Sequence, residues 1–318
     1  MNTIKVHLRI NWYFIKNENT NRRTLLMKTK ILSICFWALL LAFTTYVALD
    51  TFVIRKTYAT NVSQSNAVML DDHSSDEAAE EDTMITDPFS ITLSEYYEYD
   101  TAIYVADITL SSTQYLKTAF ADDTYGRNIT AKTSAIAAAN NAVLAINGDY
   151  YGSQESGYVI RNGVIYRDSG NSKDILCIYK DGSVSIEYAS EKTAQELLDE
   201  GVWQAFCFGP ALIEDSQIAV TEDEEVGKAK ASNPRTAIGI IGSNHFVFVV
   251  SDGRTSESEG LSLYELAEFM QSLGVTTAYN LDGGGSSTMY YNGQVINNPT
   301  TNGNRISERS VSDIVYIG

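Results

Sequence analysis

Short apolar runs separated by turn residues follow one another from residue 89 to the C-terminus, the pattern of a strand-rich fold. Pairs of turn residues lie between two runs of β-forming residues at three places: Asn162-Gly163, Asp181-Gly182 and Asn292-Gly293. Because Asn, Asp and Gly tolerate the positive φ angles of a two-residue turn, each pair predicts a β-hairpin. The segment 242–244, Gly-Ser-Asn, predicts a fourth and slightly longer hairpin.

Three stretches of the same region predict helices: 131–140, 191–200 and 263–273. In the third stretch Ser262 and Glu265 form an S-x-x-E capping box, apolar residues recur on one face, and Gly274 supplies a stop signal. The pattern therefore predicts a mixed α+β fold, strand-rich and in one domain, over residues 89–318.

The N-terminal part of the chain contains an apolar run without a charged residue over residues 31–49. Four basic residues precede this run: Arg22, Arg23, Lys28 and Lys30. A run of about 20 apolar residues crosses the hydrocarbon core of a membrane, and basic flanks stay on the cytoplasmic side. The sequence therefore predicts a cytoplasmic segment over 1–30, a transmembrane signal anchor over 31–54, and a folded domain on the extracytoplasmic side of the cell membrane.

Two alternatives stay open at this end of the chain. The apolar run is also compatible with a signal peptide that is cleaved, which would leave the domain secreted. Met27 followed by Lys-Thr-Lys is a normal start for an export signal, in which case residues 1–26 do not belong to the protein.

Charge is distributed unevenly along the chain, whose formal net charge is −17. Residues 1–56 carry a balance of +7, which leaves −24 on the remainder. Residues 55–88 include the acidic run 71–82 and too few apolar side chains to form a core, so they predict a disordered acidic linker. Because nucleic-acid binding needs many Lys and Arg contacts to phosphate, the acidic domain is not expected to bind nucleic acid.

The three cysteines are Cys35, Cys177 and Cys207, and the first lies in the apolar run. Cys177 and Cys207 each lie in a hydrophobic stretch. They are compatible with one disulfide in an exported domain or with two small apolar core residues. No CxxC or Cys/His spacing indicates a zinc site.

Two aspartates follow predicted strands on either side of the capped helix. The strand 246–250 leads to Asp252, and the strand 276–281 leads to Asp282. If both strands belong to one sheet, this is a βαβ unit with parallel strands, and both carboxylates lie at the sheet edge where ligands usually bind. Two carboxylates at one edge suit the acid/base chemistry of glycoside hydrolysis.

The residues after Asp282 predict a loop that approaches a ligand closely. Glycines at three successive positions permit positive φ angles and present N–H groups as an anion nest, and hydroxyls follow them: Gly283, Gly284, Gly285, Ser286 and Ser287. A flexible turn is the alternative interpretation. Arg235, in the segment Asn-Pro-Arg-Thr, offers a bidentate fork to a phosphate, although it is also compatible with a surface position.

Asn147 and Asp149 place an amide and a carboxylate in one turn after the apolar run 142–146. Two aromatic rings, Tyr150 and Tyr151, belong to the same turn, and the alternative is a tight turn without a binding role.

Taken in order, these segments resemble the phosphodiester glycosidase family. The matching stretches are NGDYYG at 147–152, GYVIRNGVIYR at 157–167, FGPALIEDSQI at 208–218, NPRTAIGI at 233–240, VVSDGR at 249–254, NLDGGGSSTM at 280–289 and RSVSDIVYIG at 309–318. The resemblance spans roughly residues 90–318. It implies a mixed α/β catalytic domain that hydrolyses a glycosyl phosphodiester, with an N-acetylglucosamine-like sugar.

The resemblance also implies a set of site residues. The catalytic residues expected from it are Asp252, Asp282 and Arg235. The resemblance carries over three substrate-binding residues, and the loop chemistry described above adds four more: Asn147, Gly284 and Ser286, then Asp149, Gly283, Gly285 and Ser287. Family members often have glycine at the position of Asp149. The expected substrate is an envelope polymer, an exopolysaccharide or a teichoic-type phosphodiester.

Two other functions remain compatible with the sequence. A metal-assisted phosphodiesterase would break the P–O bond, with Ca²⁺ or Mg²⁺ held by Asp252, Asp282 and Asn147; the glycosidase reaction itself requires no cofactor. A non-catalytic polysaccharide-binding or assembly module would use the 20 tyrosines of the chain to contact glycans.

Overall fold

The computed structural model describes residues 27–28, 30–51, 53–57, 88–223 and 232–318. The chain divides into two units, residues 1–54 and 55–318, which are described separately. Two predicted segments lie mostly outside the described residues: the cytoplasmic segment up to residue 26, and the linker over residues 58–87.

The first unit contains helix α1, Lys30–Thr51, which is apolar over most of its length. At about 1.5 Å per residue, 22 residues are long enough to cross a hydrocarbon core of about 30 Å. A signal sequence has the same length and composition, so the helix supports membrane targeting without deciding between an anchor and a cleaved peptide.

The second unit holds the remaining elements that the described residues form. Its helices are α2 Thr133–Ala139, α3 Ala194–Asp199 and α4 Leu263–Ser272. Its strands are β1 Lys56–Thr57, β2 Phe89–Glu98, β3 Thr101–Leu110, β4 Leu116–Phe120, β5 Gly126–Arg127, β6 Ala131–Lys132, β7 Leu144–Asn147, β8 Val159–Arg161, β9 Val164–Arg167, β10 Asp174–Tyr179, β11 Val184–Tyr188, β12 Val202–Phe206, β13 Ala211–Glu214, β14 Gln217–Ile218, β15 Thr236–Gly242, β16 His245–Ser251, β17 Thr277–Asn280, β18 Met289–Tyr291, β19 Gln294–Val295, β20 Ser310–Val311 and β21 Asp313–Ile317. The mixed α+β fold that the sequence predicts is therefore confirmed.

Three larger sheets make up this unit. A seven-stranded sheet has the order β14-β13-β17-β15-β16-β3-β2, and two five-stranded sheets have the orders β19-β18-β7-β21-β4 and β11-β10-β12-β8-β9. Two short strand pairs, β1 with β5 and β6 with β20, complete the pairing; the first places Lys56–Thr57 in a strand, although the sequence analysis put these residues in the linker.

The predicted βαβ unit is present in a modified form. Strands β16 and β17 both pair antiparallel with β15, so they run parallel to each other with β15 between them. Helix α4 connects them, and the capping box is formed as expected: Glu265 N–H donates to Ser262 Oγ at 3.1 Å, and Ser262 N–H donates to Glu265 Oε2 at 2.7 Å. Gly274 has the positive φ of a helix stop, 81°.

The hairpin predictions are confirmed, with one difference in turn type. Asn162-Gly163 and Asn292-Gly293 have positive φ at both positions, as a two-residue turn requires. At the third hairpin only Gly182 has positive φ, and Tyr179 N–H donates to the Ser183 carbonyl at 2.9 Å. This loop therefore has three residues, 180–182, and the two-residue prediction there was wrong.

Apolar side chains from all three sheets share the main core. Contributions come from β3, β7, β10, β16 and β21, including Ile108, Ile146, Ile178, Phe248 and Val315. The other face of the seven-stranded sheet is covered by α4, through Leu263, Leu266 and Met270. Cys177 and Cys207 are buried free thiols in a third cluster under α3, which corresponds to the core alternative rather than the disulfide.

A buried ion cluster joins two of the sheets. Arg161 of β8 donates from Nη2 to Asp149 Oδ1 at 2.8 Å and from Nε to Asp313 Oδ2 at 3.0 Å, and all three side chains are 1% exposed. The Arg161 guanidinium lies 4.3 Å from the Phe206 ring centroid. One cation between two carboxylates leaves an excess negative charge, and burial raises the pKa of Asp313 to about 7 although Arg161 opposes the rise.

The Asp313 pKa predicts a pH dependence of stability. The folded state retains the proton of Asp313 up to about pH 7, whereas an unfolded aspartate releases it near pH 4. The folded state therefore binds more protons over this window, and the contribution of Asp313 to the free energy of unfolding falls as the pH rises from about 4 to about 7. In Asp313→Asn this loss should disappear, so the variant should gain stability relative to wild type across the window.

Urea unfolding of the detergent-solubilised protein at several pH values, followed by circular dichroism, measures this effect. Asp199→Asn, at an exposed position of α3, is the matched control and should follow the wild-type pH profile. A stability difference between Asp313→Asn and wild type that is constant over the window would contradict the account.

Candidate active site

A cleft of about 260 Å³ lies at one edge of the seven-stranded sheet. Its lining combines three arginines, one aspartate, two asparagines and a glycine pair with two apolar residues: Arg235, Arg254, Arg309, Asp282, Asn233, Asn280, Gly283, Gly284, Phe208 and Leu281. Of the residues proposed from sequence, the structure brings together Arg235, Asp282, Gly283 and Gly284 here.

Strand pairing explains why Arg235 and Asp282 meet. Asn280 at the end of β17 lies opposite Ala237 at the start of β15, because the two strands are antiparallel. Arg235 immediately precedes β15, and Asp282 follows β17 by two residues. The residue before one strand and the residue after its neighbour therefore lie at the same edge of the sheet.

Asp282 is paired with Arg309. The Arg309 Nη2 atom lies 3.1 Å from Asp282 Oδ2 and 3.3 Å from Oδ1, and the Asp282 side chain is 12% exposed. Burial raises the pKa of Asp282, while Arg309 and a hydrogen bond from Ser286 oppose the rise. Asp282 is thus an ionisable group shielded from bulk water and held in place by a cation.

Arg235 is fixed by its backbone and by its side chain. Its N–H donates to Ser251 Oγ at 2.9 Å, and its Nε donates to the Leu261 carbonyl at 2.8 Å. The side chain is buried, with 3% exposure. These contacts orient the guanidinium, which is part of the cleft lining.

Arg254 has a strained backbone and a defined side chain. Its φ angle is 63°, in the left-handed region that non-glycine residues rarely adopt. Its Nη2 donates to Asn233 Oδ1 at 2.8 Å, and its Nη1 donates to the Thr301 carbonyl. Burial lowers the pKa of Arg254, and the positive charge of Arg309 lowers it further. The two guanidiniums therefore lie close enough to repel, which an anion between them would relieve.

The charge of the cleft is opposite to that of the whole chain. Three arginines and one aspartate line it, whereas the chain carries a formal charge of −17. Guanidinium groups bind phosphate oxygens through charge-assisted and bidentate hydrogen bonds. The lining therefore favours an anionic group such as a phosphate.

Asn280 contributes a buried acceptor to the cleft. Its Nδ2 donates to the Gly209 carbonyl at 2.8 Å, and its Oδ1 has no hydrogen-bond partner among the described residues. The side chain is 1% exposed. Because buried acceptors are nearly always paired, a hydroxyl or amide donor of a ligand would satisfy this atom.

The glycine loop approaches its neighbours closely, and several N–H groups of the predicted anion nest already donate to the protein. A Cβ on Gly283 would lie 2.7 Å from the Pro234 carbonyl oxygen, and Gly284 has a φ of 64°, so both positions require glycine. The N–H groups of Gly284, Ser286 and Ser287 donate to the carbonyls of Pro234, Gly283 and Gly284. Because these donors are already used, the nest prediction was wrong for them, and the cationic groups of the cleft are the arginines.

Asn147 holds the loop that carries Asp282. Its Nδ2 donates to the Asp282 carbonyl at 2.6 Å, and its Oδ1 accepts from Thr236 Oγ1 at 2.9 Å and from Thr288 N–H at 3.3 Å. It is fully buried and does not line the cleft. Its contacts are those of a residue that positions Asp282, and direct substrate binding by Asn147 stays a prediction.

Asp252 lies outside the cleft lining, contrary to the expectation that both carboxylates converge there. Its Oδ1 accepts from Asn298 N–H at 2.8 Å and from Asn297 Nδ2 at 3.1 Å, and its Oδ2 accepts from Asn298 Nδ2 at 3.0 Å. Burial raises the pKa of the neighbouring Tyr104 hydroxyl to about 12, and the charge of Asp252 adds to this rise. These bonds make Asp252 a support for the loop at 297–298.

The remaining predicted residues occupy supporting positions. Asp149 belongs to the buried ion cluster with Arg161, and its Oδ2 also accepts from Cys207 N–H at 2.9 Å. Ser286 Oγ accepts from Arg309 Nε at 2.9 Å, which orients that arginine beside Asp282. Gly285 and Ser287 are buried behind the lining.

The metal site proposed from the sequence stays a prediction, although two of its three ligands already accept hydrogen bonds from the protein. The carboxylate of Asp252 and the amide oxygen of Asn147 are taken up by the protein donors described above. Among the described residues, no group of three His, Cys, Asp or Glu side chains is arranged to hold a metal ion.

A comparison with protein families decides the assignment. The family model for phosphodiester glycosidase matches residues 140–318, more than half of the chain and the part that contributes every residue of the cleft. The chain belongs to the phosphodiester glycosidase family. The resemblance drawn from the sequence motifs is therefore confirmed.

Curated relatives of this phosphodiester glycosidase domain come from bacteria and mammals. The SPbeta prophage-derived uncharacterized protein YomE of Bacillus subtilis (strain 168) is 31% identical over 182 residues, which are 55% of this chain and 28% of YomE. The mouse N-acetylglucosamine-1-phosphodiester alpha-N-acetylglucosaminidase is 31% identical over 175 residues, 49% of this chain and 33% of the mouse protein. The chain thus spans about a third or less of the length of these relatives.

Solved structures share the fold of the domain. The catalytic domain of zebrafish N-acetylglucosamine-1-phosphodiester alpha-N-acetylglucosaminidase, auto-inhibited by its pro-peptide, has a TM-score of 0.57 at 20% identity and covers 72% of this chain and 82% of its own. A hypothetical protein from Synechocystis has a TM-score of 0.50 at 14% identity, with 73% of this chain and 62% of its own covered.

Sequence reasoning missed four polar residues of the cleft. Each lies within a motif that was already recognised: Asn233 in NPRT, Arg254 in VVSDGR, Asn280 in NLDGGG and Arg309 in RSVSD. For the two arginines, the available signal was their position beside Asp252-Gly253 and Ser310 in these motifs. No local pattern in the sequence predicts that Arg309 contacts Asp282, because the two residues are 27 positions apart.

Proposed function

We propose that this phosphodiester glycosidase hydrolyses a glycosyl phosphodiester at the cleft around Asp282. The observation that carries the proposal is a buried carboxylate that pairs with Arg309 in a cleft also lined by Arg235 and Arg254. The carboxylate can act on the water that attacks the sugar carbon, and the arginines can bind the phosphate that leaves it. The names of the mammalian relatives support an N-acetylglucosamine-like sugar.

The arginines bind the phosphate and stabilise its developing charge. A phosphodiester carries one negative charge, and cleavage at the anomeric carbon leaves a phosphomonoester with up to two. Guanidiniums that are already oriented by Leu261, Asn233 and Ser286 lose little freedom when they bind the phosphate. The cationic lining thus favours the charge distribution that arises as the bond breaks.

Asp282 activates the water molecule in this proposal. The water oxygen forms a bond to the anomeric carbon, the bond from that carbon to the phosphate oxygen breaks, and its electron pair stays on the phosphate. The carboxylate of Asp282 accepts a proton from the water and later releases it to solvent. Burial, which raises the pKa of Asp282, makes the carboxylate a better base than an exposed aspartate.

A single carboxylate is sufficient because the leaving group is a phosphate. A phosphomonoester has its second pKa near 6, so the departing oxygen needs far less protonation than a sugar alkoxide. This is consistent with a cleft in which Asp282 is the one acidic lining residue among those the structure describes. Asn280 Oδ1, the unpaired acceptor, is suited to a hydroxyl or acetamido N–H of the sugar.

We further propose that the domain acts outside the cytoplasm on an envelope or exopolysaccharide phosphodiester. Helix α1 is long and apolar enough for a signal anchor, and the basic residues Arg22, Arg23, Lys28 and Lys30 precede or begin it. By the distribution of positive charge, residues after the helix are exported.

Hydrolysis in H₂¹⁸O tests the bond that is cleaved. With the protein in detergent and a synthetic N-acetylglucosamine 1-phosphodiester, mass spectrometry should find ¹⁸O in the free sugar and none in the phosphate. Asp282→Asn should lower kcat by at least about a hundredfold, because an amide cannot accept the proton. Arg309→Ala should also lower kcat/KM, because it removes a phosphate ligand and the partner of Asp282.

Asp252→Asn is the matched control, since Asp252 lies outside the cleft and the amide keeps its shape. It should retain more activity than Asp282→Asn, provided that circular dichroism shows both variants folded. Label in the phosphate, lost on addition of EDTA, would instead establish the metal-assisted phosphodiesterase. Near-wild-type turnover by Asp282→Asn would contradict the assigned role.

Protease protection tests the proposed location. The full chain is expressed in a bacterial host with a C-terminal tag. Protease added to spheroplasts should remove the tag, because the proposal places the domain outside the cytoplasm. A cytoplasmic marker protein should stay intact under the same conditions. Protection of the tag until the membrane is permeabilised would contradict the proposed topology.

A further inference from the structure

A second cleft, of about 390 Å³, shares no lining residue with the first. Tyrosines, arginines and acidic residues line it together with an amide and two glycines: Tyr125, Tyr151, Tyr166, Arg127, Arg167, Glu155, Asp168, Gln154, Gly126 and Gly152. We propose that this second cleft binds an uncharged saccharide unit and that it does so independently of the chemistry at Asp282.

The tyrosines of the second cleft form a fixed aromatic wall. Phe120 packs against all three, with ring centroids 5.6 Å from Tyr125, 5.3 Å from Tyr151 and 4.8 Å from Tyr166. Tyr125 and Tyr151 stack on each other at 5.1 Å with an interplanar angle of 18°. Tyr166 is the least buried of the three rings and has surface available to a ligand. A rigid ring with a polar tip suits the C–H face of a pyranose at little cost in conformational entropy.

The charges of the second cleft cancel, in contrast to those of the first. Arg127 and Arg167 are balanced by Glu155 and Asp168. A balanced set of donors and acceptors suits the hydroxyls of a neutral sugar, whereas a lining with no net charge offers a phosphate no net attraction. The difference in charge therefore separates a saccharide site from the phosphate site around Asp282.

Arg127 provides a donor that the protein leaves unused. Its Nη1 pairs with Glu155 Oε1 at 2.9 Å, while its buried Nε has no hydrogen-bond partner among the described residues. The Arg127 side chain is 18% exposed and that of Glu155 is 80% exposed. Since an unpaired buried donor is costly, a ligand hydroxyl that accepts from Nε would be favoured.

One chain segment supports both clefts. Asn147 and Gly148 hydrogen-bond the backbone of Asp282, whereas four residues shortly after them line the second cleft: Tyr151, Gly152, Gln154 and Glu155. Asp149 lies between these contacts and accepts from Tyr151 N–H at 3.2 Å. Three residues span at most about 11 Å, so the parts of the segment that serve the two clefts are near each other. The chain segment that supports the Asp282 loop is therefore continuous with the lining of the second cleft.

Titration calorimetry with neutral trisaccharides tests the proposal. The full-length Asp282→Asn protein, in a detergent without a sugar head group, is titrated with chitotriose, cellotriose and maltotriose. At least one should bind, and Tyr166→Ala should weaken that affinity about tenfold or more, because the stacking ring is removed. Tyr166→Phe should retain most of the affinity, and Tyr188→Ala, an exposed tyrosine of β11 outside both clefts, should retain all of it.

A second pair of variants locates the binding. Arg127→Lys keeps the charge beside Glu155 but removes Nε, so it should weaken the binding several-fold, whereas Arg309→Ala in the first cleft should leave it unchanged. Binding that falls with Arg309→Ala and not with Tyr166→Ala would place the sugar in the first cleft and overturn the proposal. Failure of all three trisaccharides to bind would overturn it as well. Neither result bears on hydrolysis at Asp282, which the labelled-water experiment decides separately.

Discussion

The antiparallel pairing of β17 with β15 is the constraint on which the candidate active site depends. It brings the residue before one strand, Arg235, to the same edge as the residue after the other, Asp282. Asn147 then fixes this edge, because its amide binds the Asp282 carbonyl, the Thr236 hydroxyl and the Thr288 N–H at once. A fully buried amide with all these partners holds the loop in one conformation, and the Gly283 backbone has room to pass Pro234 only without a Cβ.

The charge of the cleft around Asp282 is positive, whereas that of the whole chain is strongly negative. A strongly acidic chain concentrates three arginines around one buried carboxylate, and it balances the charges of its second cleft. The first arrangement fits a phosphate joined to a sugar carbon that water can attack, and the second fits a neutral sugar. A phosphodiester within a glycan presents both groups, so the two clefts are compatible with different parts of one substrate.

Local patterns in the sequence were sufficient for most of the fold. The capping box at Ser262 and Glu265 and the positive-φ pairs at Asn162-Gly163 and Asn292-Gly293 are set by neighbouring residues, and these predictions are confirmed. The site was harder because it depends on contacts distant in sequence. Asp252 follows a strand as predicted but is bound by Asn297 and Asn298, and Arg309 reaches Asp282 across a loop that no local pattern encodes. The βαβ pattern also did not predict that β15 lies between β16 and β17 in the sheet.

Binding by the Asp282→Asn protein, for which slow turnover is expected, tests the central claim that the arginine cleft recognises the phosphate of a glycosyl phosphodiester. Calorimetry would compare the methyl phosphodiester of N-acetylglucosamine 1-phosphate with the neutral methyl glycoside of the same sugar. Charge-assisted hydrogen bonds contribute about 1.5–3 kcal/mol each, so the phosphodiester should bind at least about tenfold more tightly, and Arg254→Ala should reduce that advantage. Equal affinity for the two ligands, unchanged by Arg254→Ala, would contradict the account.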